Sequence, residues 1–182
     1  MTHTANITCA KRLLATALCA LAVVIPTVSH AKDSLNPPAQ ARAMTGLELY
    51  LVYRDNSWKW PDGAGRMESD GRRFTAIAGS GVGASWAEGR WIVTDRGRLC
   101  LAAQWHAPAG VFPDRTCFEH RIDGNTIYQR RAPAGAWQIF KHSPAKADDE
   151  FTKLVREDLV SAGLEEVRSA SRPQQLSSAP SN

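Results

Sequence analysis

The sequence predicts a mainly β fold, an antiparallel meander curling into a lipocalin-like barrel or half-barrel, with a short N-terminal helix and a C-terminal helix. Three observations lead there. Between its ends the chain alternates apolar and polar residues with a period of two far more than with 3.6. Turn signals, among them Asp70-Gly71, Asp95-Arg96-Gly97 and Asp123-Gly124, recur at the spacing of hairpins. Counting outward from these turns brings complementary side chains face to face, which an arbitrary register does not do.

Residues 1–31 read as a secretory signal peptide and stand apart from the fold. Lys11 and Arg12 form a positive start, and Leu13 to Ile25 is apolar and uncharged. Ser29-His30-Ala31 then presents small residues for cleavage between Ala31 and Lys32. The apolar run is too short and wrongly flanked to cross a membrane, so no membrane span is expected after cleavage. A periplasmic or secreted location is the expectation. Without the leader, 20 of the 22 basic residues face 18 acidic ones, a net charge near +2. No block of like charge remains, which excludes a nucleic-acid partner as the reading of this composition. Cys9 and Cys19 leave with the leader, and Leu18 before Cys19 argues against a lipoprotein anchor. The two remaining cysteines, Cys100 and Cys117, are expected to pair in an oxidising compartment.

Residues 32–43, with Asn36-Pro37-Pro38, read as a linker. A single β-rich domain is assigned to 44–168 and a disordered tail, rich in Ser, Pro and Gln, to 169–182. The domain opens with Thr45-Gly46-Leu47-Glu48, which has capping-box form, and Leu47, Tyr50 and Leu51 share one helical face. Trp58 and Trp60 then lie two apart on one strand face. Turning at Asp70-Gly71 pairs Glu68 with Arg73 and Met67 with Phe74. Turning at Asp95–Gly97 pairs Val93 with Leu99 and Trp91 with Leu101, and Ala103 and Trp105 extend that face. The next register sets Cys100 opposite Cys117, Arg98 opposite Glu119 and Leu99 opposite Phe118, within disulfide reach. A two-residue turn at Asp123-Gly124 sets His120 opposite Ile127. For Ala136–His142 the alternation leaves open whether Trp137/Ile139 or Phe140/His142 face inward. Seven to nine strands result. Lys146 to Ser161 reads as the closing helix, with Asp148-Asp149-Glu150 at its N-terminal dipole and an apolar stripe of Phe151, Leu154, Val155 and Leu159.

The order of these motifs resembles a bacterial family of small exported proteins catalogued as domain of unknown function 995. The resemblance is carried by Thr45-Gly46-Leu47-Glu48-Leu49-Tyr50, Trp58-Lys59-Trp60, Asp70-Gly71-Arg72-Arg73-Phe74 and Glu88-Gly89-Arg90-Trp91. It continues through Gly97-Arg98-Leu99-Cys100, Thr116-Cys117-Phe118-Glu119-His120, Ile127-Tyr128-Gln129-Arg130-Arg131 and Asp148-Asp149-Glu150. It spans about residues 44–161 and implies export and this architecture. It transfers no catalytic or binding residue.

Chemistry-bearing patterns are sparse. His106, His120 and His142 with Glu119 match no zinc-ligand spacing, so no metal and no cofactor is expected. Ser80 in the Gly-rich 79–83 run lacks the helix of a nucleophile elbow, and the run lacks the lysine of a phosphate loop. No catalytic residue is assigned. Trp58, Trp60 and Trp86, without core assignments, are the candidates for binding a small ligand or an envelope partner. The leading expectation is a non-enzymatic binding domain. A hydrolase-type site on Glu119 and His120, and a structural or interaction protein, are the alternatives.

Overall fold

Curvature in a meander comes from long, continuously paired strands that twist as they pair, and the alternating stretches supply them. A computed structural model of the chain describes residues 35–177, with side chains through residue 169. The proposed leader, its Ala31–Lys32 cleavage site, Cys9 and Cys19 lie outside the described residues. The elements are β1 (Arg42–Ala43), α1 (Gly46–Tyr53), β2 (Asn56–Trp60), β3 (Gly63–Met67), β4 (Arg73–Ala78), β5 (Ser85–Thr94), β6 (Arg98–Ala107), β7 (Gly110–Asp123), β8 (Thr126–Arg131), β9 (Gln138–Lys141), β10 (Leu154–Val155) and α2 (Ser161–Ser177). The sheet is antiparallel and follows the order β10-β2-β3-β4-β5-β6-β7-β8-β9, with β1 added on β7. It curls into a half-barrel, so the predicted class holds.

Alternation assigns the two faces. The concave face carries Trp58, Met67, Phe74, Trp91, Leu99 and Phe140, all buried in one cluster with Leu49 and Tyr53 of α1. Complete burial of side chains such as Leu49, Leu99 and Phe140 is worth about 1.5–3 kcal/mol each. Three matches across β6 and β7 hold together: Cys100 faces Cys117, Arg98 faces Glu119 and Leu99 faces Phe118. The cysteines form a disulfide with Cα atoms 4.1 Å apart. Arg98 binds Glu119 at 2.7 Å.

Helix α1 begins at the predicted capping box. The Glu48 N–H donates to Thr45 Oγ1 at 3.2 Å, and the Thr45 N–H donates to Glu48 Oε2 at 2.8 Å. Hydrogen bonds from Arg42, then from the Thr45 backbone, pull the Glu48 carboxyl down to about 2. The packing face differs from expectation, since Leu49 and Tyr53 are buried while Leu47 and Leu51 stay exposed. An eight-residue helix apolar on both sides offers period without direction. The neighbours made by Tyr53 decide it.

Two turns also differ. The β3–β4 turn uses four residues, Ser69 to Arg72, with Gly71 and Arg72 at φ 55° and 53°. Met67 still faces Phe74, and Arg73 still binds Glu68. The β7–β8 turn centres on Gly124-Asn125, so His120 faces Gln129 and Ile127 faces Ile122. The register moved by two, which conserves faces, so His120 still points inward.

The closing segment is the largest correction. Lys146 to Ser161 is not a helix: it holds a 3₁₀ turn at Glu150–Lys153, then β10 against β2. Helix α2 starts only after Asp158, whose Oδ1 accepts the Val160 and Ser161 N–H groups at 3.0 Å each. It continues through Ser177, into the stretch assigned to the tail. Val160, just before it, and its own Leu164 pack on the convex face, on Ala64, Ile77 and Trp86. At the other end, β1 takes the last two residues of the predicted linker.

A candidate ligand cavity

In a meander, alternate turns fall at one end of the sheet. The connections after β2, β4, β6 and β8 share such an end, and there the concave face opens into a cavity of about 550 Å³. That volume suits a small ligand. Trp58 and Trp60 of β2, Phe74 of β4, Leu101 and Trp105 of β6, and Phe118 of β7 form its walls. A methyl group on Gly65 would sit 2.8 Å from the Phe74 ring and 3.1 Å from Trp60. Glycine there lets both rings lie across β3. Helix α1 closes the opposite end, where the Gly46 N–H donates to Asp95 Oδ1 at 2.9 Å.

Polar groups enter this apolar space at few points. Near the opening stand Lys59, Asp114, Arg131 and Gln138, all exposed. Thr116 Oγ1 donates to Asp114 Oδ2 at 3.0 Å and accepts from Arg131 at 3.4 Å. Among the described residues, neither Lys59 nor Arg131 makes an ion pair. Glu150 is committed, because Trp58 Nε1 donates to it at 2.9 Å and Lys153 at 2.7 Å. Trp58 is thereby fixed in orientation, 5.0 Å from Phe118 between ring centres.

The floor is a buried polar triad. The Tyr53 hydroxyl lies 2.8 Å from His120 Nε2, and Gln129 Nε2 donates to Tyr53 at 3.0 Å. His120 Nδ1 faces the Gly97 carbonyl at 3.4 Å, so a proton on Nδ1 leaves Nε2 to accept from Tyr53. Burial pushes the His120 pKa down to about 4 and the Tyr53 phenol well up, so both are neutral at ordinary pH. Gln129 also lines the cavity. With its amide nitrogen committed to the triad, its carbonyl oxygen is left as an acceptor for a ligand.

A family model described as "Protein of unknown function (DUF995)" matches residues 18–160. The chain belongs to this family. Every cavity residue, from Trp58 to Glu150, falls within the matched span, whereas α2 follows it. The family has no established activity. No curated protein and no solved structure matches the chain.

The predicted binding residues divide. Trp58 and Trp60 line the cavity as paired neighbours on β2. Trp86 does not: it lies on the convex face, stacked on His106 at 3.7 Å, with the Arg168 guanidinium 4.3 Å from its ring. Its neighbour Ala87 points inward, so strand parity sends Trp86 out. Glu119 and His120 are consecutive on β7 and project to opposite faces, so they cannot form one site. Glu119 instead joins Arg98 and Arg130 across the convex face. Burial opposes its ionisation, yet the two arginines hold its pKa below the usual range.

The acidic triplet does not cap a helix. Asp149 accepts the His142 and Lys146 backbone N–H groups at 2.9 Å each and pairs with His142 Nδ1. The open choice in the last strand resolves to Phe140 inward, fully buried. Among the described residues no cluster of three metal-ligating side chains occurs, and no helix is long and apolar enough to cross a membrane.

Sequence reasoning missed Gln129 and Arg131 and placed Trp105 in the core. The signal was present in Ile127-x-Gln129-x-Arg131, where polar residues occupy the inward positions of an alternating strand. An inward stripe that turns polar toward one end of a half-barrel marks its opening.

Proposed function

We propose that the protein is an exported, non-enzymatic envelope protein that holds a small, largely apolar ligand in the cavity between β2, β6, β7 and β8. The observation that carries this reading is the wall of Trp58, Trp60 and Trp105 around about 550 Å³, with fixed polar groups at its two ends. Aromatic walls with few convergent polar groups are the usual composition of small-ligand sites. Gln129 offers an acceptor at the floor, and Arg131 offers positive charge near the opening. A ligand with a flat apolar body, a donor at one end and an acid at the other matches that arrangement. The leader read in residues 1–31 supports a periplasmic or secreted location, as does a disulfide, which oxidising compartments favour.

The test is titration with anilinonaphthalene sulfonate, a flat apolar body bearing one acid. Wild-type protein should bind it saturably, one per chain. Trp60→Ala should weaken binding roughly tenfold or more, as expected from losing a large aromatic contact. Equal binding by Trp60→Ala and wild type would count against this cavity as the site.

A further inference from the structure

The two ends of the half-barrel differ in charge. The hairpin connections at the open end are residues 61–62, 79–84, 108–109 and 132–137, and they contain a single ionisable residue, Asp62; beside them Glu150 and Lys153 pair with each other. The turns at the opposite end contain Glu68, Asp70, Arg72, Asp95 and Arg96. Around the open end large apolar side chains are exposed to solvent: Val82 is 83% exposed, and Val111 and Phe112 are each 50% exposed. Val82 sits in the β4–β5 connection. Val111 and Phe112 follow the β6–β7 turn, and Phe112 lies opposite Trp105, which lines the cavity. The apolar rim is therefore continuous with the apolar interior.

We propose that this open end rests on a lipid bilayer, through which the cavity takes an apolar ligand; the second half of the statement rests on the binding reading above. Three features favour lipid over a protein partner. The apolar residues sit at separate points around an opening, Val82 in the β4–β5 loop and Val111 and Phe112 at the start of β7, and are not gathered with arginines into the aromatic-rich patch typical of protein interfaces. A hydrocarbon phase needs no complementary shape, so isolated apolar tips suffice to enter it. Behind the tips stand Lys59 and Arg131, with no ion pair among the described residues, placed to meet anionic headgroups. Asp62 and Asp114 reduce that attraction, so apolar insertion is the main contribution. A ligand of low aqueous solubility then passes from bilayer to cavity without crossing water.

Flotation of the purified protein with lipid vesicles tests this. One set is phosphatidylcholine alone, and the other is phosphatidylcholine mixed with phosphatidylglycerol. Wild type should float with both, more strongly with the second. The double variant Val82→Ser/Phe112→Ser should lose roughly tenfold or more of its vesicle partitioning while still binding soluble anilinonaphthalene sulfonate, which also shows that it is folded. Trp60→Ala should do the reverse, floating normally while binding the probe roughly tenfold or more weakly. Wild type that floats with neither vesicle overturns the proposal. So does a double variant that floats like wild type, or flotation only on anionic vesicles that salt abolishes and the double variant retains. A cavity that binds no probe while the rim still floats overturns the ligand reading and leaves the membrane contact standing.

Discussion

His120 stays neutral because nothing near it repays the cost of charging a buried imidazole. Its pKa of about 4 lies below the value of about 6.5 expected in the unfolded chain. Between these values the unfolded state binds the proton and the folded state does not, so stability falls as pH falls through that window and levels off below it. From about pH 7 to about pH 4.5 the loss attributable to this residue should be roughly 2 kcal/mol. Urea unfolding at the two pH values checks it, with His120→Gln as reference; equal pH dependence in both proteins contradicts the assignment. Tyr53→Phe should cost about 1–3 kcal/mol at neutral pH, since it removes the hydroxyl that bridges the buried His120 imidazole and the Gln129 amide. Unchanged thermal unfolding would show the triad to be slack. Gly97 supports the same site, at φ 72° with a methyl group placed 2.3 Å from the His120 carbonyl oxygen. The glycine in Asp95-Arg96-Gly97 was readable as a turn residue. Its approach to His120 was not, because no local pattern encodes a contact 23 residues away.

Hairpins explain why much of the strand pairing was legible. Where two complementary pairs fall on one register, as with Glu68/Arg73 and Met67/Phe74, or Arg98/Glu119 and Cys100/Cys117, a slip breaks both at once. The β7–β8 hairpin offered one turn signal and no such double match, and there the register was misplaced by two. The closing helix was misplaced for another reason. Phe151, Leu154, Val155 and Leu159 fit a helical stripe, but Phe151 meets Phe140 edge to face and Leu154 pairs with Trp58. Those partners lie far away in sequence and win over local periodicity. The helix begins instead behind Asp158, whose carboxylate accepts the Val160 and Ser161 N–H groups. At this scale the disulfide is the direct test. Cys100→Ala should lower stability by about 2–4 kcal/mol, read as a fall in Tm relative to wild type that disappears when both are scanned under full reduction. An unchanged Tm contradicts the constraint.

At the largest scale, the described residues form a curved sheet with α1 closing one end, α2 covering part of the convex face and an aromatic cavity at the other end. The half-barrel was legible because alternation and turn spacing determine a meander. The cavity was only partly legible: Trp58 and Trp60 stood out by their spacing, whereas Trp86 carried the same composition on the wrong parity. Depth and opening depend on how the strands curl, which no pair of residues records. A ligand site requires that this space be filled in the cell. The deciding measurement is mass spectrometry of an organic extract from protein purified from its native host, beside Ala103→Phe, which fills the cavity from within. We predict a single species recovered at one per chain from wild type and absent from a folded Ala103→Phe variant. The same species from both proteins, or none from either, would contradict a ligand site between these strands.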